Sequence, residues 1–249
     1  MHMKTIITKE YLDGLYERFD CKKFAEGDPC GVVRELTTHT TLQLDIELGA
    51  LFVAMISWGS RRAFIPIALR MMRDEMEWHP ARYIMERRYM NAFPQAKNGC
   101  VYRTLNVTMY KAICENLFSV LQTGPETLER YFTGRPTIEV ISEICQWMAP
   151  AKMGSVGRSA CKRVCMYVRW MTRRAIPDFG LWSSRDESDL YAVMDVHVCR
   201  LTASLLGLST KHTPTWRTTA ALTDIFRSWC PSDPLKYDVA LMVAADNKD

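Results

Sequence analysis

Apolar positions recur at three- and four-residue intervals along almost the whole chain. Leu44, Leu48, Leu51 and Met55 form one stripe, and Phe64, Ile67, Ala68 and Met71 a second. Tyr110, Ile113, Cys114, Leu117 and Leu121 repeat the pattern, as do Ile141, Ile144, Cys145 and Met148. Cys161, Val164, Cys165 and Val168 make a further stripe, and Leu222, Ile225, Phe226 and Trp229 another. Residues at i, i+3, i+4 and i+7 share one face of an α-helix, so each stripe predicts a helix packed against other helices. Proline beside a capping side chain in Thr123-Gly124-Pro125-Glu126, Thr213-Pro214 and Asp233-Pro234 marks helix starts. No alternating run of useful strand length occurs. The pattern predicts an all-α protein of roughly nine to eleven helices. The least regular stretch, 174–191, is expected to be a loop with at most a short helical turn.

Composition narrows the class without naming a function. The chain has 249 residues, 48% hydrophobic and 24% charged, enough for one large domain or two lobes sharing a core. The net charge of +4 is compatible with a nucleic-acid partner. Nine cysteines, at 21, 30, 100, 114, 145, 161, 165, 199 and 230, include no C-x-x-C pair, so free thiols in a reducing cytoplasm are expected. Met1-His2-Met3-Lys4 leads into polar sequence rather than a signal peptide. The apolar runs Ala50 to Ile56 and Val239 to Ala245 are far short of the about 20 residues that span a bilayer. His2, His39, His79, His197 and His212 are dispersed, and neither a four-cysteine cluster motif nor G-x-S-x-G occurs, so no metal and no cofactor are expected.

Two stretches carry candidate chemistry. Val193-Met194-Asp195-Val196-His197-Val198-Cys199-Arg200-Leu201 sets one carboxylate between an apolar approach and the first turn of a helix. Upstream, Gly154-Ser155-Val156-Gly157-Arg158-Ser159-Ala160-Cys161-Lys162-Arg163 is a Gly-punctuated turn running into a helix with a lysine in its first turn. A lysine and an aspartate at two helix starts can meet at the mouth of a cleft. Taken singly, Asp195 is a natural N-cap for the helix beginning at Val196, and Lys162 a solvated charge. Arg169, Arg173 and Arg174 read as a solvated face. A thiol-dependent enzyme using Cys161 or Cys199 is a weaker option.

Together the two stretches resemble the catalytic pair of the helix-hairpin-helix DNA glycosylases, closest to the archaeal-type 8-oxoguanine branch. Gly154 to Lys162 resembles the hairpin, although three residues separate Arg158 from the lysine where the usual form has none. Met194-Asp195-Val196-His197-Val198 resembles the second motif, and its separation from Lys162 is similar to that in the archaeal branch. With Ile56-Ser57-Trp58-Gly59-Ser60-Arg61, Tyr102-Arg103-Thr104 and Asp233-Pro234-Leu235-Lys236-Tyr237-Asp238, the same order of motifs also resembles a bacterial family catalogued as of unknown function, from about Asp45 onward.

The resemblance implies a two-lobed all-α glycosylase domain over residues 1–249, with lobes 40–150 and 1–39 plus 151–249 and a cleft between them. It implies removal of an oxidised purine from double-stranded DNA by a monomeric cytoplasmic repair enzyme without cofactor. Lys162 would attack C1′ of the nucleotide and Asp195 would stabilise the cationic transition state. Attack needs an unprotonated amine, which the helix N-terminus, Arg163 and burial against Val164 and Met166 would favour. Trp58, Met166 and Asp238 would hold the base. Gly157, Arg158, Arg163, Arg61, Arg62 and His197 would hold the DNA backbone. Outside the resemblance, Met166 and Trp58 read equally as core and Asp238 as a surface charge. The alternative is a non-catalytic helical module for nucleic acid or protein. The two readings part on whether the Lys162 amine and the Asp195 carboxylate converge in one concave, arginine-rimmed pocket.

Overall fold

A computed structural model describes residues 6–20, 27–209 and 211–246; His2 and Cys21 lie outside them. The described residues contain twelve α-helices and one two-stranded antiparallel hairpin, β1 (Cys100–Tyr102) and β2 (Leu105–Asn106). The helices are α1 (Lys9–Glu17), α2 (Cys30–His39), α3 (Gln43–Ile56), α4 (Arg61–Arg70), α5 (Pro80–Met85) and α6 (Val107–Leu121). They continue with α7 (Leu128–Tyr131), α8 (Thr137–Trp147), α9 (Lys162–Thr172), α10 (Val196–Leu201), α11 (Trp216–Trp229) and α12 (Lys236–Asp246). The protein is therefore mostly helical, with one helix more than the sequence range because α7 is a single turn that leaves no periodic signature. No helix among the described residues is long and apolar enough to cross a membrane.

The middle of the fold is α3. Its sequence predicts a one-sided stripe, but every residue from Asp45 to Ile56 is buried. The cause is packing on several sides, by α2, α5 and α9. Gly49 shows how close α2 comes, since a Cβ there would lie 2.2 Å from Leu36 Cδ2. Two acids in this apolar helix are spent on the ends of other helices. Asp45 accepts hydrogen bonds from the Ala81 amide (2.8 Å) and Thr40 Oγ1 (3.0 Å), at the start of α5. Glu47 accepts from the Leu128 amide (2.6 Å) and the Glu129 amide (3.0 Å), at the start of α7, and from Trp182 Nε1 (2.7 Å). These donors would otherwise be orphaned at helix termini or inside the core. Glu47→Gln sets an amide N–H2 against one of them and is expected to cost about 2 kcal/mol, measured as a shift in urea midpoint.

Helix starts fall slightly beyond their prolines. Thr127 rather than Thr123 caps α7, accepting from the Arg130 amide at 3.1 Å. Thr215, just after Pro214, makes a reciprocal capping box with Thr218 at the start of α11. Asp233, offered as a cap before Pro234, instead pairs with Arg173.

The 174–191 stretch is a loop with one short 3-10 turn, Glu187–Asp189. It overturns the solvated reading of the arginines beside it. Arg169 and Arg173 are fully buried because the loop and the N-terminus of α12 close over that side of α9. Arg173 grips Asp233 with two nitrogens (2.9 and 2.8 Å) and Asp178 with a third (3.1 Å). Arg169 Nε donates to the other Asp178 oxygen at 3.1 Å. Only Arg174 points outward. At the far side, α1 packs on α12, where Lys236 meets Asp13 at 2.8 Å.

Candidate active site

Lys162 is the first residue of α9, and the chain reaches it by an abrupt turn. Cys161, the N-cap, sits in left-handed backbone conformation (φ 49°). Gly154 (φ 106°) lies where a Cβ would be 2.0 Å from Ser159 Oγ, and that oxygen accepts from the Ser155 amide at 3.0 Å. Glycine is thus required for the turn to close.

Asp195 is the N-cap of α10, its Oδ1 accepting from the Val198 amide at 2.9 Å. Its other oxygen, Oδ2, lies 3.0 Å from Lys162 Nζ. Capping and pairing therefore use different oxygens of one carboxylate, so the N-cap expected from the sequence leaves Oδ2 available to Lys162. Burial works against charge on Asp195, but Lys162, the Val198 amide and His197 outweigh it and hold the group below the usual carboxylate range. The pair is partly open to solvent, at 36% and 29% side-chain exposure, at the wall of a cavity of about 910 Å³.

That volume is of the size that takes small molecules. Its walls come from seven places in the chain: the turn before α2, the turn before α4, the segment before α10, and helices α4, α9, α10 and α12. Trp58 is half-buried at the edge, backed by the hairpin: Tyr102 Oη donates to the Trp58 carbonyl at 2.6 Å, and Arg103 lies 4.5 Å above the indole ring. Met166, one turn after Lys162, is buried on the same wall. Arg61, Arg62 and His197 also line the cavity, Arg62 and His197 being exposed.

Asp238, a candidate surface charge by sequence, is 2% exposed. Its Oδ2 accepts from the Val193 amide at 2.8 Å and lies 4.0 Å from Arg169 Nη1. Its Oδ1 is buried and finds no hydrogen-bond partner among the described residues. Burial pushes the Asp238 carboxyl up to about 6, against the pull of Arg169 and the Val193 amide. In the unfolded chain an aspartate titrates near about 4. Between those two values the folded form keeps a proton the unfolded form has lost, so this group's stabilising contribution falls as pH rises from about 4 through about 6. Asp238→Asn is expected to remove that fall, seen by comparing urea midpoints of the two proteins across the interval.

Three charged lining residues are not among the site residues expected from the sequence. Arg200 follows His197 at i+3 on α10, a spacing that places both on one face and was available in the sequence. Arg169 was misread as solvated. Asp28, buried before α2, had no signal at all, being a lone acid before a proline far from either motif. Its Oδ1 accepts from the Cys30 amide at 3.1 Å, its Oδ2 lies 3.8 Å from Arg61, and burial raises its pKa.

The expected backbone-binding residues divide. Gly157 and Arg158 are exposed on the turn before α9, outside the large cavity. Arg163 has partners within the protein: its guanidinium donates to the Met55 carbonyl and to the Lys152 carbonyl (3.2 Å), fastening the start of α9 to the end of α3. Burial brings its pKa down to about 10. Among the described residues, no three His, Cys, Asp or Glu side chains converge as metal ligands would.

No curated protein and no solved structure matches the chain. One family model does, over residues 28–245, a span that begins at the buried Asp28 and takes in both sequence motifs and every wall of the cavity. The chain belongs to that family, the proteins of unknown function designated DUF2400.

Proposed function

We propose that this protein is a bifunctional DNA glycosylase and abasic-site lyase that removes an oxidised purine, 8-oxoguanine, through a Schiff base on Lys162. The observation that carries the reading is the 3.0 Å approach of Lys162 Nζ to Asp195 Oδ2 at the wall of a cavity rimmed by Arg61, Arg62 and Arg200. Convergence of that amine and that carboxylate is what a catalytic pair requires and what a binding module has no need of.

In this mechanism the damaged nucleotide leaves the duplex and its base enters the cavity. Trp58 and Met166 contribute apolar surface to its faces, and the unpartnered Oδ1 of Asp238 accepts a hydrogen bond from the purine edge. The Lys162 ammonium gives one proton to solvent, the nitrogen lone pair attacks C1′ as the bond to the base breaks, and the departing base takes up the proton that the newly bonded nitrogen sheds. Asp195, kept ionised and pinned by the Val198 amide, stabilises the positive charge that develops on the sugar. The resulting N,O-acetal at C1′ opens the sugar ring to a protonated imine, and loss of a C2′ proton to solvent expels the 3′ phosphate. Arg61, Arg62, Arg200 and His197 hold phosphates near the cavity, and Gly157 and Arg158 contact the backbone on the neighbouring turn. The chain acts as a monomer in the cytoplasm on double-stranded DNA, without cofactor, with DNA across a cleft between lobes 40–150 and 1–39 plus 151–249.

The test is a panel of duplexes, each with one defined lesion, incubated with the purified protein. Cleavage of the strand at 8-oxoguanine in preference to undamaged guanine is the expected result. Binding of DNA with no strand cut on any member of the panel would instead identify a non-catalytic module.

A further inference from the structure

Two stretches of the sequence, 144–177 and 196–223, hold no acidic residue. Aspartate and glutamate make up 28 of the 249 residues, a rate at which these stretches would hold about seven between them. They are separate in the chain, and the fold brings them together. Ser159 pairs with Thr215 in an isolated antiparallel bridge, and Thr219 Oγ1 donates to the Ala160 carbonyl at 3.4 Å. The turn before α9 is thereby fastened to the start of α11, with Arg158 and Arg217 each within two residues of the bridge. The second stretch is also held to α10, where Cys199 Sγ donates to the His212 carbonyl at 3.6 Å, next to Lys211.

The cations exposed here lack the partners that several others have. Elsewhere Arg82 and Arg88 meet Glu77, Arg87 meets Glu115, and Arg130 meets Glu126. Lys152, Arg158, Arg200, Lys211 and Arg217 are exposed, and their side chains make no ion pair or hydrogen bond among the described residues. An acid closer than the Debye length of about 8 Å would weaken their field. Leaving acids out of both stretches keeps that field whole, and it is continuous with the cavity rim at Arg200. Unpaired positive charge spread along a surface, rather than gathered in a pocket, suits a polyanion.

We infer that the DNA-holding surface runs past the turn before α9 onto the start of α11, where Lys211 and Arg217 bind phosphates of the duplex. Such binding presupposes the duplex substrate proposed above, but not the chemistry at Lys162. Contacts to phosphate fix register and orientation without reading sequence. Each phosphate neutralised releases condensed counterions, so log K falls with log salt by about 0.9 per contact. A merely solvated cation leaves that slope alone.

Wild type and the double variant Lys211→Gln/Arg217→Gln are titrated with a short undamaged duplex between about 50 and 200 mM salt. Neither side chain has a partner among the described residues, so the double variant should fold with the urea midpoint of wild type. Its slope should be smaller in magnitude by about 2, and its affinity at the low-salt end weaker by more than about tenfold. Arg82→Gln/Arg130→Gln, which removes cations already matched to acids, should keep the wild-type slope. An unchanged slope in Lys211→Gln/Arg217→Gln, with lesion-bearing strands still cut by wild type, overturns this inference and leaves the glycosylase reading standing. A reduced slope in a protein that cuts no lesion supports the surface and removes the glycosylase reading. Failure of wild type to bind any duplex, or binding of phosphatidylserine vesicles in its place, overturns the inference.

Discussion

Lys162→Gln is expected to eliminate the borohydride-trapped protein–DNA adduct that the proposed chemistry forms and to slow base excision by about 10⁴-fold or more, while binding of lesion-bearing duplex should weaken by less than about tenfold. The asymmetry follows from what the side chain does. An amide nitrogen has no basic lone pair to attack C1′, so the covalent route closes entirely. Glutamine still donates a hydrogen bond toward Asp195 Oδ2, so that carboxylate keeps a polar neighbour and the cavity keeps its shape. The amine is 36% exposed, and removing a charge in that setting changes folding and DNA binding only slightly. Single-turnover excision and equilibrium binding, measured on one preparation, separate the two effects. A comparable loss in both would move Lys162 from chemistry to DNA contact.

Asp195 carries the second large effect, and its two roles separate by substitution. Asp195→Asn keeps an oxygen for the Val198 amide, because asparagine caps helices about as well as aspartate. Fold stability should therefore change by less than about 1 kcal/mol, apart from the weakened contact to Lys162. Excision should nevertheless slow by about 10²- to 10³-fold, because a neutral amide no longer stabilises the cationic sugar. Asp195→Ala loses the cap as well and should unfold about 1 kcal/mol more easily than Asp195→Asn, with a similar loss of rate. The wild-type group also has a sign that can be checked. Its pKa is depressed in the fold, so its stabilising contribution is present at neutral pH and is lost as pH falls through the carboxylate range. A capping role alone would leave excision by Asp195→Asn near that of wild type.

Much of this arrangement was legible in the chain, and the misses have physical causes. Periodicity finds helices well when one face is wet. It therefore placed α6, α8, α9 and α11 but described α3 as one-sided, when neighbours cover it on several sides. A helix of one turn, α7, has no period to read, and its existence depends on Glu47, far away in the chain. The two motifs at Lys162 and Asp195 were visible because each is local: a turn closed by Gly154, and a carboxylate ahead of a helical turn. Their meeting at 3.0 Å is a long-range result that local pattern only suggests.

Charge was the harder signal. Arg169 and Arg173 look identical in sequence to a solvated stripe, and only the acids Asp178, Asp233 and Asp238, brought in by the loop and by α12, make their burial tolerable. Arg163 shows the same limit in reverse, since its backbone carbonyl partners leave no trace in side-chain spacing. Asp28 reaches the cavity from a segment with no motif, so folding alone brings it there.

The measurement closest to the central claim is the identity of the residue that becomes covalently attached to DNA. Protein incubated with an 8-oxoguanine duplex in borohydride, digested and sequenced by mass spectrometry, should carry the reduced sugar on the peptide containing Lys162 and on no other. An adduct on a different lysine, or none in a preparation that cuts the strand, would contradict the account.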